Sequence, residues 1–305
     1  MSKTTMIEDS VYLVDTRFWM IGVAAYIVGE DESALIETGP AKSHSYVLEE
    51  LQRVGASLEQ ITCIAVTHIH LDHAGATGYL VKELPNARVY VHPRGLKHLA
   101  DPHRLMESAR KAAPESLEEF GEMIPVDRRK LVEAVDGLRI ELGENSLRVL
   151  ESPGHARHHI VLYEERLRVL FAGDAVGMYT PEADVLIPST PPPDFDLEKS
   201  VSTAGRIASL NPEIICYTHY GFSRDADEML RRFKEVLREW DDLIKPVWES
   251  TQSLEKAVDV VMSHYSSESE RVNEYRSSWD LRAETELNVS GYFHYYERME
   301  QASQH

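Results

Sequence analysis

Short apolar runs separated by turn residues open the chain. Val11–Val14, Val23–Val28 and Ala34–Ile36 have the length and β-branched content of strands. Tyr46–Val54 changes to the helical period and stops at Gly55, a C-terminal helix signal. Ile61–Val66 is a continuous apolar run of strand length that ends at Thr67, Gly78–Leu84 reads as helix and Arg88–His92 as strand. Residues 93–127 interrupt this rhythm with a charged helical stretch, Pro102–Ala113 and Glu115–Met123 within it. Strands resume at Leu138–Leu142, Leu147–Glu151, Ile160–Tyr163 and Val169–Phe171. A Pro-rich loop, Ser189–Asp194, leads to a helix near Leu197–Leu210 and a last strand at Ile214–Thr218. From Asp225 onward no strand pattern is visible, and Met229, Leu230, Phe233, Val236, Leu237 and Trp240 recur at helical spacing. The pattern therefore predicts an α/β domain over residues 1–224, with a helical insertion at about 93–127. A C-terminal helical appendage of three or four helices follows over 225–305.

Composition narrows the partners rather than the fold. Fifty-one acidic residues against 32 basic ones give a formal charge of −19. That balance disfavours a phosphate backbone or an anionic membrane surface as partner and points to a small-molecule substrate. No apolar run approaches the roughly 18 residues a spanning helix needs. Met1–Asp9 is polar, without the apolar stretch of a signal peptide, so a cytoplasmic location is expected. Cys63 and Cys216 each sit in an apolar strand-like run and are expected to be buried free thiols.

The chemistry gathers where the strand Ile61–Val66 stops. Thr67-His68-Ile69-His70-Leu71-Asp72-His73 places two histidines two residues apart on extended chain, so that both rings leave the same side. Asp72 and His73 follow as the chain turns toward the next helix. Three further residues each end a strand-like run: His155 in Ser152-Pro153-Gly154-His155, Asp174 in Ala172-Gly173-Asp174, and His219 in Thr218-His219-Tyr220-Gly221. Imidazole and carboxylate donors suit zinc, and equally iron, manganese or nickel.

In this order and spacing the motifs resemble the metallo-β-lactamase superfamily, over about residues 10–240. The resemblance implies an αββα sandwich with its metals at one edge of the sheets. It assigns His68, His70 and His155 to one metal, Asp72, His73 and His219 to a second, and Asp174 to a bridge between them. Two divalent metal ions, zinc foremost, are the implied cofactors. One position departs from the family pattern: Glu37-Thr38-Gly39 stands where the family carries an aspartate before Thr-Gly. In the family that acid orients ligands or their loop rather than binding metal.

The implied reaction is hydrolysis of a small ester-like substrate (thioester, lactone or ester) by a hydroxide bridging the metals, with Asp72 orienting the nucleophile and relaying its proton. Phe18 and Trp19, Tyr179 and Tyr220 are the candidate substrate contacts. His158 and His159 are expected to support or pack rather than to ligate. The alternatives are a phosphoester or phosphotriester hydrolase of the same fold, a mononuclear iron dioxygenase, or a non-catalytic metal-binding scaffold or sensor. The aromatic run Gly291-Tyr292-Phe293-His294-Tyr295-Tyr296 suits either a homodimer contact through the C-terminal helices or packing within the chain.

Overall fold

The computed structural model describes residues 4–18, 23–112, 114–219, 221–267, 270–271 and 281–303. Within them the strands fall into a seven-stranded sheet, a six-stranded sheet and a two-stranded ribbon. The expected α/β architecture of two large sheets with helices, followed by a C-terminal helical region, is what the chain forms. Two compact units divide it, Met1–Glu151 with His158–Gly173, and Ser152–Arg157 with Asp174–His305.

In the first unit, β1 (Thr5–Glu8), β2 (Val11–Phe18), β3 (Val23–Val28) and β4 (Ser33–Ile36) pair antiparallel in sequence order. From β4 the sheet turns parallel. Helix α1 (His44–Arg53) carries the chain back to β5 (Ile61–Ala65); α2 (Leu71–Ala74) and α3 (Thr77–Glu83) carry it to β6 (Arg88–Val91). The charged insertion is the third crossover. Its helices α4 (Pro93–Ala100), α5 (His103–Ala112) and α6 (Pro114–Phe120) lead to β7 (Leu131–Glu133), parallel to β6. Parallel strands need such crossovers because each must restart at the same edge.

Central strands β3 and β4 are buried at every residue, which is why they read as continuous apolar runs rather than alternating ones. Val47 and Leu51 of α1 and Leu80 of α3 pack with Leu35, Ile64 and Val89 of the sheet in one apolar cluster. A fully buried leucine of this kind contributes about 1.5–3 kcal/mol. The same unit holds an antiparallel run of β8 (Arg139–Leu142), β9 (Asn145–Glu151), β10 (Ile160–Glu164) and β11 (Val169–Gly173). Cys63 and Cys216 are free and buried, as expected, and burial pushes both thiols far above their ordinary pKa.

The second unit carries the ribbon of β12 (Met178–Thr180) and β13 (Val185–Ile187), helix α7 (Leu197–Ala208), and the pair β14 (Ile214–Tyr217) and β15 (Phe222–Ser223). Helices α8 (Ala226–Thr251) and α9 (Leu254–His264) and a C-terminal helix, Leu281–Ser303, complete it. Along α8, Met229, Leu230, Phe233, Leu237, Trp240, Ile244 and Trp248 are buried, one apolar stripe at the helical period. The aromatic run of the C-terminal helix packs on that stripe. Tyr292 lies 6.4 Å from Trp240 and its hydroxyl donates to the Leu237 carbonyl at 2.8 Å. Tyr296 lies 5.2 Å from Trp248 and donates to Asp241 at 2.7 Å. No described helix is long and apolar enough to cross a membrane.

Candidate metal centre

The parallel pairing of β4 with β5 decides the first half of the site. Ile36 stands opposite Ala65, so both strands end at the same edge, and Glu37 emerges beside the segment that leads into Thr67. The Glu37 amide donates to the Ala65 carbonyl at 2.9 Å, and Glu37 itself takes a left-handed conformation with φ 63°. Such a backbone is costly for a residue with a Cβ, on the order of 1–2 kcal/mol, and is held by what surrounds it. Its fully buried carboxylate accepts the Thr67 amide at 3.3 Å and the Thr67 hydroxyl in a short hydrogen bond. The same oxygen faces Nδ1 of His73 at 3.4 Å. Thr38 completes the clamp: its amide and hydroxyl both donate to the His73 carbonyl, at 2.9 and 2.8 Å. Glu37 thus ties down the segment that carries His68 and His73, through Thr67 on one side and the His73 ring on the other.

Thr67 settles the state of the next residue. Its single hydroxyl proton goes to Glu37, so toward Nδ1 of His68, 3.0 Å away, it accepts. His68 therefore carries its proton on Nδ1 and leaves Nε2 basic, the form that binds a metal. Nε2 of His68 lies 2.8 Å from Nδ1 of His70, so the two donors converge. His70 caps α2 in extended conformation, with φ −63° and ψ 153°. The first turn of α2 then presents Asp72, whose Oδ2 is 3.5 Å from Nε2 of His73. His159 is buried and stacks on His68 at 4.8 Å, while His158 is half-buried, with its ring 5.8 Å from that of His70. Gly173 makes room for this packing, since a Cβ there would stand 2.4 Å from Thr67 Oγ1 and 2.7 Å from His159 Nε2.

The second unit holds the other three candidates. Gly154, at φ 146°, lets the chain pass against α7, where a Cβ would meet the Ser200 backbone at 2.6 Å. The Gly154 carbonyl accepts the Asp196 amide at 2.9 Å, and Thr203 donates to the Pro153 carbonyl at 2.6 Å, so His155 sits on a fixed turn. Asp174 lies between the two histidines, with Oδ2 3.6 Å from Nε2 of His155 and Oδ1 3.5 Å from Nε2 of His219. All three are buried.

Ser189 is the residue that sequence reading passed over as loop. Its carbonyl lies 3.0 Å from Nδ1 of His155 and can only accept, so that nitrogen carries the proton and Nε2 is again the basic one. Its hydroxyl donates to Asp174 Oδ2 at 3.1 Å. The only hint in the sequence is a small polar pair, Ser189-Thr190, at the head of a proline run.

The donor set passes the chemical test for a divalent cation. It consists of imidazoles and carboxylates, buried except for the half-buried His70 and Asp72, and two of the histidines have the proton locked on Nδ1, which leaves Nε2 basic. Of the candidate substrate contacts, Tyr179 is half-buried on β12, donates to Asp184 Oδ1 at 3.2 Å and lies 5.6 Å from the Tyr217 ring. Burial, and then the charge of Asp184, push its hydroxyl pKa up. Trp19 and Tyr220 lie outside the described residues, as does the side chain of Phe18, the last residue of β2.

Known proteins share this architecture. The metallo-beta-lactamase fold-containing protein ST1585 of Sulfurisphaera tokodaii is 31% identical over 210 residues, 67% of this chain and 75% of its own length. Hydroxyacylglutathione hydrolase of Francisella tularensis subsp. novicida is 26% identical over 156 residues, 47% of this chain and 50% of its own. The solved structure of the metallo-beta-lactamase family protein TTHA1429 from Thermus thermophilus matches in fold with a TM-score of 0.73. It covers 96% of this chain and 95% of its own at 19% identity. The family model of the metallo-beta-lactamase superfamily matches residues 18–219, a span that holds all seven candidate ligands and the clamp around them, and the chain belongs to that superfamily.

Proposed function

We propose that this chain is a metal-dependent hydrolase acting on a small ester-like substrate: a thioester, a lactone or a simple ester. The observation that carries the reading is the protonation state enforced on His68 and His155. Each donates from Nδ1 to an acceptor, Thr67 in one case and the Ser189 carbonyl in the other, and so each offers a basic Nε2, that of His68 beside His70 and that of His155 beside Asp174. In the proposed assignment His68, His70 and His155 hold one divalent ion, and Asp72, His73 and His219 a second, with Asp174 shared between them. Zinc is the metal that this nitrogen-rich set suits first.

Two ions bound there would supply an acidified water as nucleophile and a Lewis acid for the substrate carbonyl. The chain's own part is to hold the ligands in one protonation state and to manage the proton. Asp72 is the least buried of its cluster's acids, its side chain 16% exposed against 1% for Glu37. Its carboxylate is therefore placed to orient water and accept a proton, whereas Glu37 is walled off and holds Thr67 and His73. Similarity to hydrolases among the relatives supports bond hydrolysis, and a thioester is the bond named by hydroxyacylglutathione. A small-molecule substrate, rather than a nucleic acid, fits a chain with net charge −19.

The experiment is a turnover panel on zinc-loaded protein, with and without chelator: S-lactoylglutathione, an acyl-homoserine lactone, a nitrophenyl ester, a phosphodiester, a phosphotriester and nitrocefin. Chelator-sensitive hydrolysis of a thioester, lactone or ester is the expected result. Hydrolysis confined to the phosphate substrates, or silence across the panel from metal-loaded protein, contradicts the proposal.

A further inference from the structure

The loop that carries Ser189 is held from its other side by the C-terminal helix. Thr190, 1% exposed, donates its amide to Oδ1 of Asn288 at 2.5 Å and its hydroxyl to the Asn288 carbonyl at 3.0 Å. Asn288 is fully buried, and its Nδ2 donates in turn to the carbonyl and to Oε1 of Glu284, at 3.0 and 2.9 Å. A buried asparagine in mid-helix is unfavourable by propensity and stays only where its amide is fully used.

One turn on, Gly291 brings the helix backbone against the same residue. A Cβ at Gly291 would stand 1.6 Å from the Thr190 carbonyl oxygen, so no side chain fits. Glycine inside a helix is unfavourable relative to alanine, and the close approach to Thr190 explains it here. Further along, Arg298 donates to the Pro193 carbonyl at 2.5 Å and to the Phe195 carbonyl in a short bond, while Phe195 packs 4.8 Å from Tyr292. The helix therefore grips the loop at both ends, and its first grip is one residue from the serine that holds His155 and Asp174.

We propose that Asn288 is a positioning residue of the metal centre: through Thr190 it fixes Ser189, and through Ser189 the ring of His155 and the carboxylate of Asp174. The C-terminal helix is then part of the support of the site rather than a separable arm. This rests on the metal reading above, and acts on ligand geometry without touching substrate.

The test uses the full-length chain with cobalt(II) as the probe, reading the visible d–d spectrum and the dissociation constant by chelator competition. Asn288→Ala is expected to alter the spectrum and weaken cobalt binding about 10-fold, the lower end of what losing a ligand's partner costs. Ser189→Ala should shift both in the same direction, with little added by combining the two. Asn288→Asp, which keeps the acceptor for the Thr190 amide, should restore most of the wild-type spectrum. Tyr296→Phe is the control on the same helix, because it removes the bond to Asp241 and leaves Thr190 untouched; its spectrum should match wild type. Should Asn288→Ala fail to fold, Thr190→Val, which loses the two hydroxyl bonds to Asn288 and keeps the amide bond, decides by the same readout with a smaller shift. Wild-type cobalt binding with an unchanged spectrum in Asn288→Ala, or in Thr190→Val where Asn288→Ala does not fold, overturns this inference alone. A shift in Tyr296→Phe as large as in Asn288→Ala also overturns it, since any loosening of the helix would then suffice. Wild-type protein that takes up no cobalt overturns the metal reading itself, and this inference with it.

Discussion

The two ligand clusters are built in opposite ways. In the first unit His68, His70, Asp72 and His73 lie within one six-residue stretch, and their support comes from the strand next door, through Glu37 and Thr38. In the second, His155, Asp174 and His219 come from three separate places in the sequence. Their support, Ser189, is itself held by a residue 98 positions beyond Thr190. Both clusters reach the same chemical end, an imidazole with its proton locked on Nδ1. The local design needs only one parallel strand pair to be in register; the dispersed design needs a loop, a helix and an aromatic core to be in place together. A dispersed cluster is therefore open to distant mutations that leave the contiguous one unmoved.

The largest expected effect breaks the second cluster at its centre. Asp174→Ala removes the carboxylate shared by His155 and His219, and should cost metal and activity together by more than about 100-fold, beyond what loss of any ligand's partner costs. Metal analysis alongside turnover checks it, and unchanged metal content contradicts a shared role for Asp174. Next comes Glu37→Gln, which keeps the shape but weakens the acceptor for Thr67 and the charge facing His73. Metal affinity should fall about 10–100-fold. Glu37→Asp, one methylene short, should recover only part of it in the same titration.

Ser189→Ala should cost less, about 10-fold, because the Ser189 carbonyl still accepts from His155 while the hydroxyl's contacts with Asp174 and His155 Nδ1 are lost. Equal losses in Glu37→Gln and Ser189→Ala would erase the contrast between the two designs. The smallest effect lies away from both clusters. Burial holds the His92 pKa below its ordinary value, with Glu151, 3.5 Å away, pulling the other way. A histidine depressed in the folded state binds its proton more readily when unfolded, so stability is complete above its unfolded pKa of about 6.5 and falls as pH drops below it. His92→Gln should flatten that fall in thermal denaturation between neutral and mildly acidic pH. A slope equal to wild type would remove His92 from the acid response.

Legibility in the sequence follows the same contrast. The His68–His73 motif was readable because spacing on one strand-to-helix turn is local information, and Glu37 because it stands in a three-residue motif. His155, Asp174 and His219 were readable only as polar ends of apolar runs taken in order. Ser189 and Asn288 were not, since nothing local links a loop serine to an asparagine on the last helix. Secondary structure divides similarly. Buried central strands such as β3 and β10 stand out as apolar runs. β1, with two exposed residues in its four, and β7, three residues after a basic turn, carry too little apolar pattern to be seen. The ribbon β12–β13 is as short, three residues a strand, and pairs across a tight turn that gives no alternating signal. The aromatic run of the C-terminal helix was legible as a packing surface, but not as one that meets Trp240, Trp248 and Phe195.

The central claim is that the clustered histidines and aspartates of this chain hold divalent metal. Equilibrium dialysis of the full-length chain against zinc, followed by elemental analysis, tests it most directly. Two zinc ions per chain in the wild type, with His68→Ala and His155→Ala each losing bound metal, is the expected result. Zinc retained in full by both variants, or no zinc held by the wild type, would contradict it.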